Sequence, residues 1–170
     1  MKKVNIFIIM LGVISFYNCN SQKTTSTSGS SDKAEQMRIA IIDYMECEEC
    51  TEGELKKLVS FGSAVVGSLT AILREGPSDA KKETLTHHLR KSYSDLVKYQ
   101  ETHPDNKVTL NEDEYIRTYM DNYIALYQSR AVIALSTIGG PTAKKALESS
   151  SDLTLRADVR ALLQERLKSM

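Results

Sequence analysis

Residues 127–147 read YQSRAVIALSTIGGPTAKKAL. The apolar residues of the first part recur at intervals of three and four, which predicts a helix that begins near Glu112 and ends at Ile138. The Gly-Gly-Pro sequence at 139–141 ends this helix, because glycine relieves a helix terminus and proline cannot continue a helix. A second helix is expected from Thr142 to Ser149. The stretch therefore predicts two consecutive helices joined by a tight turn.

The same apolar spacing extends over most of the remaining chain and predicts further helices on both sides of this pair. The breaks between them fall at Gly62, at Gly76-Pro77, at 103–106 and in the serine-rich segment 149–152. Ser78 and Asn111 are the expected N-caps of the two long central helices. The other helices are expected at 33–45, 54–61, 63–74, 78–101 and 153–168. The sequence has no strand pattern, and we predict an all-α fold.

The composition agrees with one helical domain and excludes several classes of protein. The chain has 170 residues, with 22 Lys and Arg against 22 Asp and Glu, and therefore carries no net charge. This balance excludes binding to nucleic acid by bulk electrostatic attraction. A hydrophobic fraction of 41% argues against wholesale disorder, and the lack of Trp with only three Phe favours helices over sheets.

The first 18 residues have the pattern of a secretory signal peptide. Lys2 and Lys3 precede an apolar stretch from Val4 to Tyr17, which is shorter than the about 20 residues that a membrane-spanning helix needs. Polarity rises abruptly after Cys19. A Cys in this position, followed by polar residues, resembles a bacterial lipoprotein signal, in which the Cys is lipidated and becomes the first residue of the mature chain.

This resemblance implies a protein of the bacterial cell envelope that is anchored to a membrane through lipid on Cys19 and faces the periplasm or the cell surface. An ordinary cleaved signal, with Cys19 as a bystander, is the alternative. Residues 20–32 contain no aliphatic or aromatic side chain, which is typical of a flexible linker. We therefore divide the chain into a signal peptide at 1–18, a lipid-anchored linker at 19–32 and a helical domain at 33–170.

Residues 127–147 also resemble a HEAT-like repeat of the short bacterial type. In that pattern an Arg begins the inner part of a helix, alanines and a Leu-x-x-Ile-Gly sequence close it, and a Pro-led helix packs back. The matching positions here are Arg130, Ala131, Ala134, Leu135, Ile138, Gly139 and Pro141. Residues 55–77 and 153–167 are similar to the same pattern, whereas 78–123 does not match. The resemblance implies a short solenoid of antiparallel helix pairs that binds another protein. An irregular helical bundle is the alternative.

Cys47 and Cys50 form a C-x-x-C pair, whose spacing brings two sulfurs within reach of a disulfide or a shared metal ion. In an oxidising envelope we expect a structural disulfide at the junction of the first two helices. A thiol-redox site is a second interpretation, although the surrounding glutamates would raise the pKa of the thiols. A zinc site is a third, and it would need further ligands such as His87, His88 or His103. We assign no metal and no other cofactor from the sequence.

Four tyrosines recur at every fourth position and form a stripe along one helix. They are Tyr115, Tyr119, Tyr123 and Tyr127. Packing inside the fold is one interpretation of this stripe. The other is a half-exposed groove that contacts a protein or peptide partner, because aromatic side chains dominate the binding energy of interfaces.

The sequence contains no recognisable nucleophile motif, Gly-rich phosphate loop or zinc-protease motif. We therefore predict no enzymatic activity and assign no catalytic residue. The leading hypothesis is a membrane-tethered envelope lipoprotein whose helical domain binds or scaffolds an unidentified protein. The alternative is a redox or metal-handling envelope protein that uses Cys47 and Cys50.

Overall fold

The computed structural model describes residues 29–105 and 107–170. The predicted signal peptide, Cys19 and residues 20–28 of the predicted linker lie outside the described residues. The described chain forms seven α-helices and one short 3-10 helix, with no β-strand in the described residues. The elements are α1 (Gly29–Glu46), α2 (Glu52–Val59), the 3-10 helix (Gly62–Val65), α3 (Val66–Glu75), α4 (Asp79–Thr102), α5 (Glu112–Ile138), α6 (Gly140–Glu148) and α7 (Ala157–Lys168). The prediction of an all-α fold is confirmed.

Several helix boundaries differ from the prediction. Helix α2 spans Glu52–Val59 and not 54–61, and α6 begins at Gly140 and not at Thr142. Helix α1 begins at Gly29, so the last four residues of the predicted linker are helical, and Asp32 lies in the first turn, where a negative charge stabilises the helix dipole. The predicted helix 63–74 is divided into the 3-10 helix and α3. Helix α7 begins at Ala157 and not at Leu153, because Leu155 is buried in a non-helical segment before it.

Two of the predicted helix ends depend on glycine with a positive φ. Gly76 ends α3 at φ 72° and Gly139 ends α5 at φ 66°, a region that L side chains rarely adopt. A Cβ atom on Gly76 would also lie 3.1 Å from Cγ2 of Ile124 in α5. Gly76 therefore allows the turn into α4 and the close approach of this turn to α5.

The N-termini of two helices are closed by capping boxes. Thr51 accepts a hydrogen bond from the backbone of α2, and the Glu54 side chain accepts one from the Thr51 backbone. Asn111 and Glu114 form the same reciprocal pair at the start of α5, as expected for a predicted N-cap. Ser78 occupies the N-cap position of α4, but its side chain makes no capping hydrogen bond.

Helix α5 is the centre of the fold, because it contacts each of the other six α-helices. The core around it consists mainly of leucine, valine and alanine. Its largest fully buried aliphatic side chains include Leu58, Leu69, Leu73, Leu135, Leu147, Leu163, Val132 and Val159. In the described chain no single helix has both the length and the apolar character to cross a membrane; α2 and the stretch 62–75 meet these criteria only as a pair bent by 98°. The HEAT-like pairing of helices stays a prediction.

Helix α4 runs antiparallel to the first half of α5. Lys81, near the start of α4, and Tyr127, late in α5, both contact Glu46. Tyr93, farther along α4, lies against Tyr115, early in α5. In its 24 residues α4 buries one side chain, Leu89. We refer to α4, the connecting segment and the beginning of α5 (residues 79–119) as the α4–α5 arm.

Candidate functional site

The tyrosine stripe is divided between buried and accessible positions. Tyr115 and Tyr127 are buried, with 5% and 4% of their surface exposed, whereas Tyr119 is 40% exposed and Tyr123 is half-buried. The packing interpretation therefore describes the two ends of the stripe. Among the four tyrosines, Tyr119 and Tyr123 are the ones that a partner could reach.

Tyr115 packs within a cluster of aromatic rings in the α4–α5 arm. Its ring centroid lies 5.5 Å from that of Tyr93 and 4.6 Å from that of Tyr119. Tyr93 in turn donates a hydrogen bond from Oη to the carbonyl oxygen of Leu110 at 3.1 Å, which attaches the connecting segment to α4. Burial raises the pKa of Tyr115. The aromatic cluster therefore holds the two helices of the arm together.

Most of the large apolar side chains that the described chain exposes lie on this arm. They number seven, and five of them belong to residues 79–119, with exposed fractions between 38% and 50%. The five are Leu96, Val97, Tyr99, Leu110 and Tyr119. We call them the arm patch. Within this set, Leu96 and Tyr99 lie three residues apart on α4, a spacing that makes side chains neighbours on the helix surface. Apolar side chains that are exposed together typically indicate a contact site, whereas single exposed residues do not.

Three helices meet at the side chain of Glu46, the last residue of α1. Tyr127 in α5 donates a hydrogen bond from Oη to Glu46 Oε1 at 2.9 Å, and Lys81 in α4 forms an ion pair with the same carboxylate. The hydroxyl oxygens of Tyr123 and Tyr127 lie 3.2 Å apart. Burial and the Tyr123 hydroxyl raise the pKa of Tyr127, so the phenol stays protonated and able to donate. This junction fixes the base of the arm against α1.

Arg130 joins α5 to the end of α1 and to the segment that follows it. Its Nη1 donates to the carbonyl oxygen of Met45 at 2.6 Å, and its Nη2 donates to that of Cys47 at 2.8 Å. Neither hydrogen bond goes to a carboxylate, and Arg130 forms no ion pair with a described residue. The repeat resemblance accounts for Arg130 only as part of the pattern and does not reveal this role. The available signal was an Arg in an apolar half of α5 with no acidic residue three or four positions away.

Cys47 and Cys50 lie at disulfide-bonding distance, with their Cα atoms 5.1 Å apart. Their access to solvent is unequal, because Cys50 is exposed whereas Cys47 is half-buried. Cys47 lines a surface hollow of about 450 Å³ together with Tyr123, Leu126 and Arg130. The structure thus brings the cysteine pair and one end of the tyrosine stripe to the same hollow.

The histidines considered as zinc ligands do not join the cysteine pair. His87 and His88 are exposed on α4, and the ring of His103 stacks on Tyr99 with centroids 3.9 Å apart. Within residues 29–105 and 107–170, no group of three or more His, Cys, Asp and Glu side chains is arranged to hold a metal ion. The zinc interpretation therefore has no ligand set in the described part of the chain.

Comparisons with models of protein families, with curated proteins and with solved structures find no match to this chain.

Proposed function

We propose that the protein is a membrane-tethered binding module of the cell envelope, and that the arm patch binds an apolar face of an α-helix in another protein. The observation that carries this proposal is the concentration of exposed apolar side chains on one arm of the fold. An amphipathic helix can lay its apolar face along the surface of two antiparallel helices.

The energetics of α4 support a partner on this surface. An isolated helix is marginal in water, and helices in proteins are stabilised mainly by packing of an apolar face. Along its 24 residues α4 buries only Leu89, while Leu96, Val97 and Tyr99 lie exposed in its second half. A partner helix on the arm patch would bury these three side chains and add to the packing that α4 makes against α5.

The charges around the arm patch agree with a protein partner. Lys98 and Glu101 are exposed beside Val97 and Tyr99, and Lys107 and Glu112 flank Leu110. Both signs of charge therefore surround the apolar centre. An apolar centre with a polar rim is the usual anatomy of a protein interface, whereas a nucleic acid would require a surface of one sign.

The tether and the repeat assignment in this proposal are supported by the sequence. The residues up to Cys19 resemble a lipoprotein signal, and residues 127–147 resemble a HEAT-like repeat, a class of domain that presents helix surfaces to other proteins. A lipid on Cys19 would hold the domain near the membrane, so that its partner is a membrane protein or another protein of the same compartment.

The experiment compares three forms of the full chain purified from native membranes in mild detergent. We expect the unchanged protein to elute as a complex larger than one lipidated chain with its detergent. A variant with Val97→Ser and Tyr99→Ser should lose the complex and keep its helical circular dichroism. Ile39→Ser is the matched control, because Ile39 is 40% exposed on α1, away from the arm.

The outcomes separate binding from tethering. Identical elution of all three forms would contradict the binding proposal. A complex that contains only copies of this chain would contradict the proposed partner. Cys19→Ser should move the chain from the membrane fraction to the soluble fraction and remove a lipid-sized mass; an unchanged distribution would contradict the tether alone.

A further inference from the structure

The two residues of the Cys47–Cys50 pair differ in exposure to solvent. Thiol–disulfide exchange begins when a thiolate attacks one sulfur of the disulfide, and the rate depends on access to that sulfur and on the leaving group. Cys50 is exposed at the surface, whereas Cys47 is half-buried at the edge of the hollow that Arg130 lines. Attack from solvent is therefore directed to Cys50, and Cys47 is the leaving group.

Cys47 has one positively charged neighbour, because the Arg130 guanidinium lies 2.8 Å from its carbonyl oxygen. Arg130 donates its two hydrogen bonds to backbone carbonyls and forms no ion pair with a described residue. Two carboxylates line the same hollow, that of Glu46, which pairs with Lys81, and that of Glu48. A neighbouring positive charge favours the thiolate form of a cysteine. Once protonated, the Cys47 thiol would have an acceptor, because its Sγ lies 3.1 Å from the carbonyl oxygen of Tyr44.

The two residues between the cysteines are acidic. Glu48 and Glu49 lie between the two cysteines, are exposed, and form no ion pair with a described residue. Their carboxylates repel an anionic reagent and attract a cationic one. The surface around the sulfur that is attacked thus selects for a thiol carried by a positively charged molecule.

We propose that the Cys47–Cys50 disulfide is an exchangeable redox site that is reduced by a protein dithiol set in a positively charged surface. The first thiolate of this partner attacks Cys50 Sγ, the bond between the two cysteine sulfurs breaks, and Cys47 leaves as a thiolate. The second thiolate of the partner then attacks the partner's own sulfur in the mixed disulfide and releases Cys50 as a thiolate. The two released thiolates take up protons from water. The partner is oxidised to a disulfide and the pair is reduced by two electrons.

This proposal goes beyond the binding function, since it needs neither the arm patch nor the lipid on Cys19. Its test uses the full chain and three small thiols of similar size: cysteamine, which is cationic, 2-mercaptoethanol, which is neutral, and 2-mercaptoethanesulfonate, which is anionic. Exchange is stopped by alkylation at a series of times. Trypsin releases residues 39–56 as one peptide that contains both cysteines, so mass spectrometry reports this pair separately from Cys19.

We expect the mixed disulfide on Cys50, and rates per thiolate that are about fivefold higher for cysteamine than for the sulfonate at low ionic strength. The difference should shrink as salt is added. Glu48→Gln with Glu49→Gln should remove most of this difference. Arg130→Gln should slow exchange with all three thiols, whereas Arg130→Lys, which keeps the charge, should slow it less.

Three results would overturn the proposal. They are a mixed disulfide on Cys47, equal rates for the three thiols in the unchanged chain, and a pair that stays oxidised in every thiol while the chain remains folded. The first two are read on the unchanged chain, so the test holds even if the Arg130 variants fail to fold.

Discussion

The guanidinium of Arg130 donates a hydrogen bond from Nη2 to the carbonyl oxygen of Cys47 at 2.8 Å, across 83 positions of sequence. A second bond, from Nη1 to the carbonyl oxygen of Met45, is 2.6 Å long. The last carbonyl groups of a helix have no partner inside the helix, and a positive charge at this end stabilises the helix dipole. Arg130 therefore attaches the end of α1 and the disulfide turn to the central helix.

We predict that Arg130→Met lowers the free energy of unfolding by about 2 to 3 kcal/mol, because it removes two charge-assisted hydrogen bonds and leaves their acceptors without a donor. Urea denaturation followed by circular dichroism measures the change. The control is Arg160→Met, which removes one bond of 3.2 Å to the carbonyl oxygen of Leu155 and should cost less than about 1 kcal/mol. Equal losses of stability in the two variants would show that the two Arg130 hydrogen bonds stabilise the fold no more than the single Arg160 bond does.

Stability should fall at alkaline pH because of three buried tyrosines. Burial raises the pKa of Tyr44, Tyr115 and Tyr127 above the ordinary value of 10.0. Below pH 10 these phenols are protonated in both states, and their contribution to stability is complete. Above pH 10 the unfolded chain releases protons that the folded chain retains, so the free energy of unfolding decreases as pH rises.

Urea denaturation at a series of pH values measures this effect, and stability should stay level up to pH 10 before it falls. Tyr127→Phe is the informative variant. It should cost about 1 kcal/mol at neutral pH, because the hydrogen bond to Glu46 is lost, and it should make the alkaline fall smaller. If the free energy of unfolding of this variant decreases above pH 10 as much as that of the unchanged chain, Tyr127 does not contribute to the pH dependence.

Two glycines should respond in opposite directions to alanine. Gly76→Ala places a side chain at φ 72° and a Cβ atom 3.1 Å from Ile124, and it should cost about 1 to 2 kcal/mol or more. Gly67 lies within α3 with no atom near its added Cβ, so Gly67→Ala should stabilise the protein by about 0.5 to 1 kcal/mol. Thermal unfolding measures the change in melting temperature of each variant. A Gly76→Ala variant with a melting temperature as high as that of Gly67→Ala would contradict the assigned turn geometry.

The predicted N-caps of α4 and α5 should also differ in their contribution to stability. Asn111→Ala should cost about 1 kcal/mol, because the Asn111 side chain accepts a hydrogen bond from the Glu114 backbone. Ser78→Ala should cost less than about 0.5 kcal/mol, since the Ser78 side chain makes no capping bond. Urea denaturation of the two variants under the same conditions measures the loss of stability in each. A larger loss for Ser78→Ala than for Asn111→Ala would reverse the assignment.

The helix ends at Gly76 and Gly139 could be predicted because they depend on local properties. A glycine next to a proline, or a pair of glycines before one, ends a helix whatever surrounds it. The start of α7 could not be predicted in the same way. Leu153 and Leu155 fit a helical spacing, but Leu155 is buried by the rest of the core in a non-helical segment, which delays the helix to Ala157.

The arrangement of the four tyrosines at the candidate site could also be predicted only in part. A spacing of four residues places the side chains on one side of α5, but it does not reveal which helix covers them. Tyr115 lies against Tyr93 of α4, and Tyr127 reaches Glu46 of α1. Both contacts are long-range in sequence. For this reason the sequence identified the stripe but neither the division between its buried ends and the accessible Tyr119 nor the role of Arg130.

The most direct test of the arm patch is a photoreactive amino acid placed at a single position of the full chain in cells. Leu96 in the arm patch and Ile39 on α1 are matched positions, with 39% and 40% of their surfaces exposed. We expect one discrete adduct with another protein from position 96, its loss when Val97→Ser and Tyr99→Ser are added, and no such adduct from position 39. The absence of an adduct at position 96, or the same adduct from both positions, would contradict it.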